Sequence, residues 1–377
     1  MFHYSEVAKT RIQQGKAALR GNSLSQRVDE SMSPLSLRTW RTLVVSPLST
    51  TNSTQHAPTV VRGVGSVTGS CPATVAILLA GQRVASRTAR LATSLGLPIA
   101  ALPIDAERSA TECWMQRLAE AGFCGTVVLA VASSAERAFY ERTAMPEGLT
   151  LEVRVDSTEH RGAGGTIGDV WRERRGAMTE AAQRGGIVLI EASKASDLDF
   201  PRFLAAIDST QGALIGAALN SAPAGAMWIA GAALELVPAI GFFDLKEQLI
   251  PAIVASGMSV AACVGAQESC RISDRLSYLK AIALMLASGA PAQAADAILE
   301  PGCTVRGNSI VCRGAVVERG ALVVDSAILP GARVCADAVV ARSVVPPGTH
   351  VPCGYLVVDE IFGALGSPEK SGTEGSS

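Results

Sequence analysis

The sequence predicts an α/β domain with a mainly parallel sheet, followed by a short left-handed parallel β-helix. Between Val75 and about residue 295, strand-like apolar runs alternate with amphipathic helical segments, the pattern of a sheet covered on both faces. From Gly314 to Pro347 the pattern changes, and GAVVER, GALVVD, SAILP, GARVCA, DAVVAR and SVVPP follow one another. Aliphatic residues recur at Val317, Val323, Ile328, Val334 and Val340, and Ala321, Ala327, Ala332 and Ala338 follow the first four. One branched aliphatic and one small residue in roughly every six positions suits a triangular coil, whose corners take the small residue. About eight such units predict two or three coils; the competing reading is an irregular Val/Ala-rich β meander. The two ends are polar, which divides the chain into an extension over 1–70, the α/β domain over 71–295, the β-helix over 296–361 and a tail over 362–377.

The α/β domain opens with the buried-strand run Val75–Ala80 and a glycine at Gly81. A helix is expected over Thr111–Gly122, with Trp114, Leu118 and Ala121 on one face and Gly122 as its stop. Thr126–Ala132 reads as a buried strand, Ser134–Arg142 as a helix and Leu149–Val155 as an alternating strand. Gly164–Arg175 reads as a helix opened by glycines, Gly186–Glu191 as a buried strand and Phe200–Asp208 as a helix. Leu234–Gly257 holds two amphipathic segments around a break at Gly241, and Ser277–Ala287 is one more helix.

Composition narrows the function classes. The 377 residues are 48% hydrophobic and 18% charged, with a formal net charge of −1. That balance gives no electrostatic reason to expect nucleic acid or a membrane surface as partner. No apolar run reaches the roughly 18 residues that span a bilayer, and residues 1–70 lack the apolar segment of a secretory signal. The nine cysteines are scattered without a CxxC pair, so they read as buried, reduced thiols of a cytoplasmic protein rather than a zinc or disulfide framework.

A strand that stops at a glycine is where α/β folds bind phosphates. The stretch VAILLAGQRVASRTARLATSLGLPIAALPID (Val75–Asp105) resembles the opening of the sugar-nucleotide pyrophosphorylases, the sugar-1-phosphate nucleotidyltransferases. Other motifs follow in the family's order. Trp114–Val131 is similar to its helix-and-strand segment, and Gly165-Thr166-Ile167-Gly168 to its GTAG turn. FFDLKEQLIP (Phe242–Pro251) and SYLKA (Ser277–Ala281) resemble two later segments, and a terminal β-helix is typical of the mannose-1-phosphate guanylyltransferase branch. The resemblance spans Val75–Val358 and implies a Rossmann-like nucleotidyltransferase (GT-A-like) domain. It implies nucleotide contacts at Leu79, Ala80, Gly81, Arg83, Arg87, Gly165 and Thr166, and transfer of a nucleotidyl group to a sugar-1-phosphate with release of pyrophosphate.

That chemistry gathers phosphates, neutralises charge in the transition state and usually employs Mg²⁺ held by carboxylates. Here the family's motifs depart. Its glycine-rich loop becomes Gly81-Gln82-Arg83-Val84-Ala85-Ser86-Arg87, Ile99 stands where the family has its lysine, and Ser193 and Arg271 stand at its two carboxylate positions. The stretch Leu214–Trp228 also lacks the family's sugar-contacting segment. Arg83, Arg87 and Arg90 share one helical face, which reads either as an anion site or as a solvated face. Asp197 and Asp199 are candidate Mg²⁺ ligands, with a helix cap and a surface acid as the plainer alternative. Glu191 is better placed at a strand end, but a single acid does not make a metal site. His160 lies beside the glycine turn and reads as incidental. The run Gly162–Gly168 does not meet the GxGxxG spacing of a dinucleotide site.

Three functional readings follow. In the first the protein is catalytically impaired and binds an NDP-sugar or NTP as a regulatory subunit. In the second it is an active nucleotidyltransferase with a rewired site, using Mg²⁺. In the third the β-helix serves assembly, as a homo- or hetero-oligomer. The lost lysine and carboxylates favour the first over the second, and the retained glycine turn favours it over the third. An acyltransferase reading of the coils is set aside, because His350 is the one histidine there.

Overall fold

The computed structural model describes residues 73–80, 86–141, 143, 145–155, 161–176, 185–210, 212–219, 222–264, 266 and 268–364. The predicted polar extension, most of the predicted tail, Gly81, Arg83 and His160 lie outside the described residues.

In chain order the α/β domain runs β1 (Ala73–Leu79), α1 (Ser86–Leu95), a 3₁₀ turn at Ile99–Ala101, α2 (Ala110–Glu120), β2 (Gly125–Val131), α3 (Ser134–Tyr140), β3 (Leu149–Val155), α4 (Gly162–Arg175), β4 (Gly186–Glu191) and β5 (Lys194–Ser196). It continues with α5 (Phe200–Ser209), β6 (Leu214–Leu219), β7 (Ala222–Ala230), α6 (Gly231–Leu234), a π turn at Leu245–Leu249, α7 (Ile250–Ala255), β8 (Val260–Val264), β9 (Ser269–Arg271) and α8 (Arg275–Ala287).

The main sheet has the order β3-β2-β1-β4-β7-β6-β8, and β7 alone runs against its neighbours. Its two faces bury separate clusters. Trp114, Met115, Leu118, Phe200 and Phe203 cover one, and Ile167, Trp171, Leu234, Leu249 and Ile253 the other. Local signals set several boundaries. Ser109 and Glu112 form a capping box at the start of α2, and Asp274 and Ser277 form another at α8.

One hairpin of this domain was not read from the sequence, and one segment needs correction. Leu214–Trp228 folds as the hairpin β6–β7, whose strands are buried on both sides and so lack an alternating signal. Only Gly231–Leu234 is helical in the first segment before Gly241, because Pro238 and the positive-φ Gly241 stop it. The expected arginine face falls outside the described residues, because Arg83 and the side chain of Arg87 do so; α1 is described from Ser86.

The β-helix contains eleven strands of two or three residues between Ile298 and Val358, arranged on three parallel faces. Successive partners Val316, Arg333 and His350 set a coil of 17 residues. There are thus more than three coils rather than two or three, because the first begins at Ile298, ahead of the clear repeat. Val317, Val323, Ile328, Val334 and Val340 all point inward with no exposed surface. The corners stack residues in the left-handed region: Gly314, Gly331 and Gly348 form one column, and Gly307, Asp325, Arg342 and Asp359 another. At Gly307 an added Cβ would lie 2.2 Å from Asp325 Oδ1, so a side chain there would have to displace the Asp325 carboxylate.

A serine ladder runs beside the second column, and Gly302, Gly320, Asp337 and Gly354 form the third. The amide of Ser326 donates to Ser309 Oγ at 3.1 Å, and that of Ser343 to Ser326 Oγ at 3.0 Å. Each of these buried hydroxyls also donates to a carbonyl of its own coil, so the ladder leaves no hydroxyl orphaned. Phe362 remains packed on the coils, stacking against Tyr355 and donating its amide to the Val344 carbonyl.

Candidate functional site

The chain winds from β1 through β2 to β3 on one side and returns to β4 on the other, so the strand order reverses between β1 and β4. Ligands of open α/β sheets bind outside the strand C-termini at such a reversal. Leu79 and Glu191 are register partners there, and the Ala192 amide donates to the Leu79 carbonyl at 3.2 Å. Ala80 is anchored by its own amide to the Ala130 carbonyl. The crevice therefore has a fixed backbone on both sides.

Its charge comes from a short antiparallel pair, β5 and β9, in which Lys194 sits opposite Arg271. Two cations facing each other across strands repel unless something lies between them. Glu191 does so, with Oε2 2.5 Å from Arg271 Nη2 and 3.8 Å from Lys194 Nζ. The lysine also donates to the Pro223 carbonyl at 2.8 Å. Glu191 and Lys194 are buried, whereas the Arg271 side chain is 46% exposed. Burial alone would raise the Glu191 carboxyl, but Lys194, Arg271 and Lys246 together hold it below its ordinary range. Burial lowers the Lys194 ammonium, opposed by Glu191 and reinforced by Arg271 and Lys246. Three cations thus act on one carboxylate, leaving a net positive strand end.

This arrangement does not fit Mg²⁺. Ser193 and Arg271, which the resemblance sets at the family's carboxylate positions, offer no carboxylate, and Glu191 is already paired with Arg271. The other candidate acids are spent structurally. Asp199 caps α5 by accepting from the Arg202 amide at 3.0 Å, and Asp197 Oδ1 accepts from the Glu268 amide at 2.9 Å.

Ile99 is buried in the apolar cluster that seats the β-helix, with Ile104 and Tyr278 of the domain and Ile310, Leu329 and Val344 of the coils. The Tyr278 hydroxyl holds this loop by donating to the Pro103 carbonyl at 2.6 Å. Ile99, which the resemblance sets at the family's lysine position, is therefore part of an interdomain core.

Gly165 and Thr166 lie within α4 and are buried. The Gly165 amide donates to the Phe243 carbonyl at 3.0 Å, and the Thr166 hydroxyl to the Gly162 carbonyl at 3.0 Å. A Cβ at Gly164 would meet the Phe243 carbonyl at 2.8 Å, and one at Gly168 would meet Val237 at 2.5 Å. Close packing accounts for the glycine run here, and the amide expected to approach a nucleotide is occupied. Arg161, which the sequence reading passed over, anchors this junction through Asp169 and the carbonyls of Pro238 and Gly241. Arg90 is exposed on α1, and the side chain of Arg87 lies outside the described residues. The Glu191–Lys194–Arg271 cluster was also missed as a unit. Its signal was a strand-end acid three residues ahead of a lysine.

Comparison with known proteins finds a family match on the coils and weaker likenesses to two enzymes. Residues 282–360 match the GlmU-like, C-terminal hexapeptide family. Glucose-1-phosphate adenylyltransferase of Bacillus cytotoxicus is 28% identical over 72 residues, which is 18% of this chain and 19% of that enzyme. The chain thus matches about a fifth of the length of this curated relative. A solved UDP-glucose pyrophosphorylase from Acinetobacter baumannii aligns at 13% identity and a TM-score of 0.44, covering 56% of this chain and 92% of that one. The chain thus shares its C-terminal coils with the GlmU-like hexapeptide family, and an α/β domain precedes them. Among the described residues no helix is long and apolar enough to cross a membrane.

Proposed function

We propose that this protein binds the diphosphate of an NDP-sugar or NTP at the β1–β4 strand ends without a metal, and that it acts as a catalytically impaired, regulatory member of its class. The observation that carries this reading is the Lys194–Glu191–Arg271 cluster at the strand-order reversal. Arg271 is a fixed-charge fork suited to phosphate oxygens, and Glu191 orients it while Lys194 and Lys246 keep the surroundings positive. Nucleotidyl transfer needs charge neutralisation at the reacting phosphate and a cation beside the leaving pyrophosphate. The arginine supplies the first, but Ile99 supplies nothing toward the second because its side chain faces the β-helix seat.

The test is a thermal-shift series with NTPs, NDP-sugars and sugar phosphates, each with Mg²⁺ or with EDTA, alongside a pyrophosphate-release assay. A ligand that binds only the folded state raises the melting temperature by mass action. A shift with an NDP-sugar that persists in EDTA, without pyrophosphate release, is expected. Mg²⁺-dependent release would restore the active-enzyme reading. The absence of any shift would favour an assembly role for the coils.

A further inference from the structure

A second cluster lies on the β-helix. Glu318, Cys335 and Cys353 sit on three successive coils, and one ligand atom of each lies within 4.8 Å of the others. Both cysteines are free thiols; Cys335 is half-buried and Cys353 exposed. We propose that these three side chains form a binding site for a thiophilic divalent cation of the zinc class.

The backbone holds the three ligands in place. The Glu318 amide donates to the Val334 carbonyl at 2.9 Å, the Cys335 amide to the Val351 carbonyl at 3.1 Å, and the Gly354 amide to the Ala336 carbonyl at 2.9 Å. The ladder of the coils thus fixes each residue relative to the next. Tetrahedral zinc with thiolate bonds of about 2.3 Å and a carboxylate bond of about 2.0 Å separates its ligand atoms by about 3.3–3.8 Å. The cluster is within reach of that spacing through side-chain rotation alone.

The carboxylate is already oriented. Glu318 Oε1 accepts from Arg333 Nη1 at 2.6 Å, and Oε2 accepts from the Ala336 amide at 2.9 Å. A carboxylate has about four acceptor positions, so these bonds leave lone pairs for a metal. Outer partners of this kind hold metal ligands in position. Charge also balances: two thiolates and one carboxylate exceed a divalent ion by one negative charge, and Arg333 carries the compensating positive charge. The open side of Cys353 leaves a fourth position for water. Such a set is invisible to a search for CxxC, because the two cysteines are brought together by the coil repeat.

Cobalt(II) titration of the reduced full-length protein tests the site directly. One equivalent should produce a thiolate-to-cobalt charge-transfer band that zinc displaces. Cys335→Ser and Cys353→Ser should each weaken binding by about ten-fold or more and diminish the band, with Glu318→Gln weakening it about ten-fold. The proposal fails if no such band develops, or if Cys335→Ser leaves it unchanged. A second measurement avoids any dependence on variants that misfold. Zinc should protect Cys335 and Cys353 of the wild-type chain from alkylation, read by peptide mass mapping, while the exposed Cys124 remains reactive. Equal alkylation of all three with and without zinc would overturn the site.

Discussion

In the β-helix the neighbour of each side chain is the residue one coil away, whereas at the strand-end crevice Glu191 meets Arg271 across 80 positions of sequence. In the coils Val317, Val334 and Val351 stack because the chain repeats a single local geometry. The crevice depends on a sheet order and a β5–β9 pairing. These differences predict how each region responds to change. A fault in the coils should unfold structure, while a fault in the crevice should alter charge and binding.

The largest effect should come from Val340→Asp. Its side chain is fully buried among aliphatic neighbours of adjacent coils, and a carboxylate there has no partner. A cost of more than about 4 kcal/mol is expected in urea unfolding, with loss of β structure by circular dichroism. Ile99→Lys follows. Restoring the family's lysine should cost about 2–4 kcal/mol, because it places an ammonium in the core that seats the coils. It should also leave pyrophosphate release absent. Recovery of activity at wild-type stability would show that this loop is a dormant site rather than a core element.

Glu191→Gln should cost about 1–3 kcal/mol, since it leaves Lys194 buried with a weaker partner while Arg271 keeps contact with solvent. The pH dependence has a definite sign. The folded carboxyl titrates below its ordinary range, so its contribution is present above the unfolded value of about 4.3 and disappears as pH falls through the lower folded value. The stability gap between wild type and Glu191→Gln should therefore be constant between about pH 6 and 7 and narrow below about pH 4. Gly314→Ala should have the smallest effect, about 1 kcal/mol. Its φ is +65° but its Cβ would find no atom nearer than 3.9 Å, so the cost is conformational.

The same contrast explains what could be read from sequence. The inward valines and the alanines between them carry the coil period on their face, so the β-helix was legible almost throughout. The Ser309, Ser326 and Ser343 ladder shares that period but was hidden among polar residues that look like loop. In the α/β domain, β1, β2 and β4 were legible as continuous apolar runs. The hairpin β6–β7 was not, because its alanines and glycine give neither helical nor strand periodicity. Alignment with the family located Ile99, Ser193 and Arg271 as departures. It could not show that Ile99 had joined an interdomain core or that Arg271 had found Glu191, since both facts arise only when distant segments pack.

The most direct test of the account is calorimetric titration of an NDP-sugar in EDTA, comparing wild type with Arg271→Ala over a range of salt concentrations. A metal-free phosphate site predicts binding by the wild type that weakens with salt, and about ten-fold weaker binding by the variant at a temperature where circular dichroism shows both folded. Binding that requires Mg²⁺, or that is indifferent to Arg271, would contradict it.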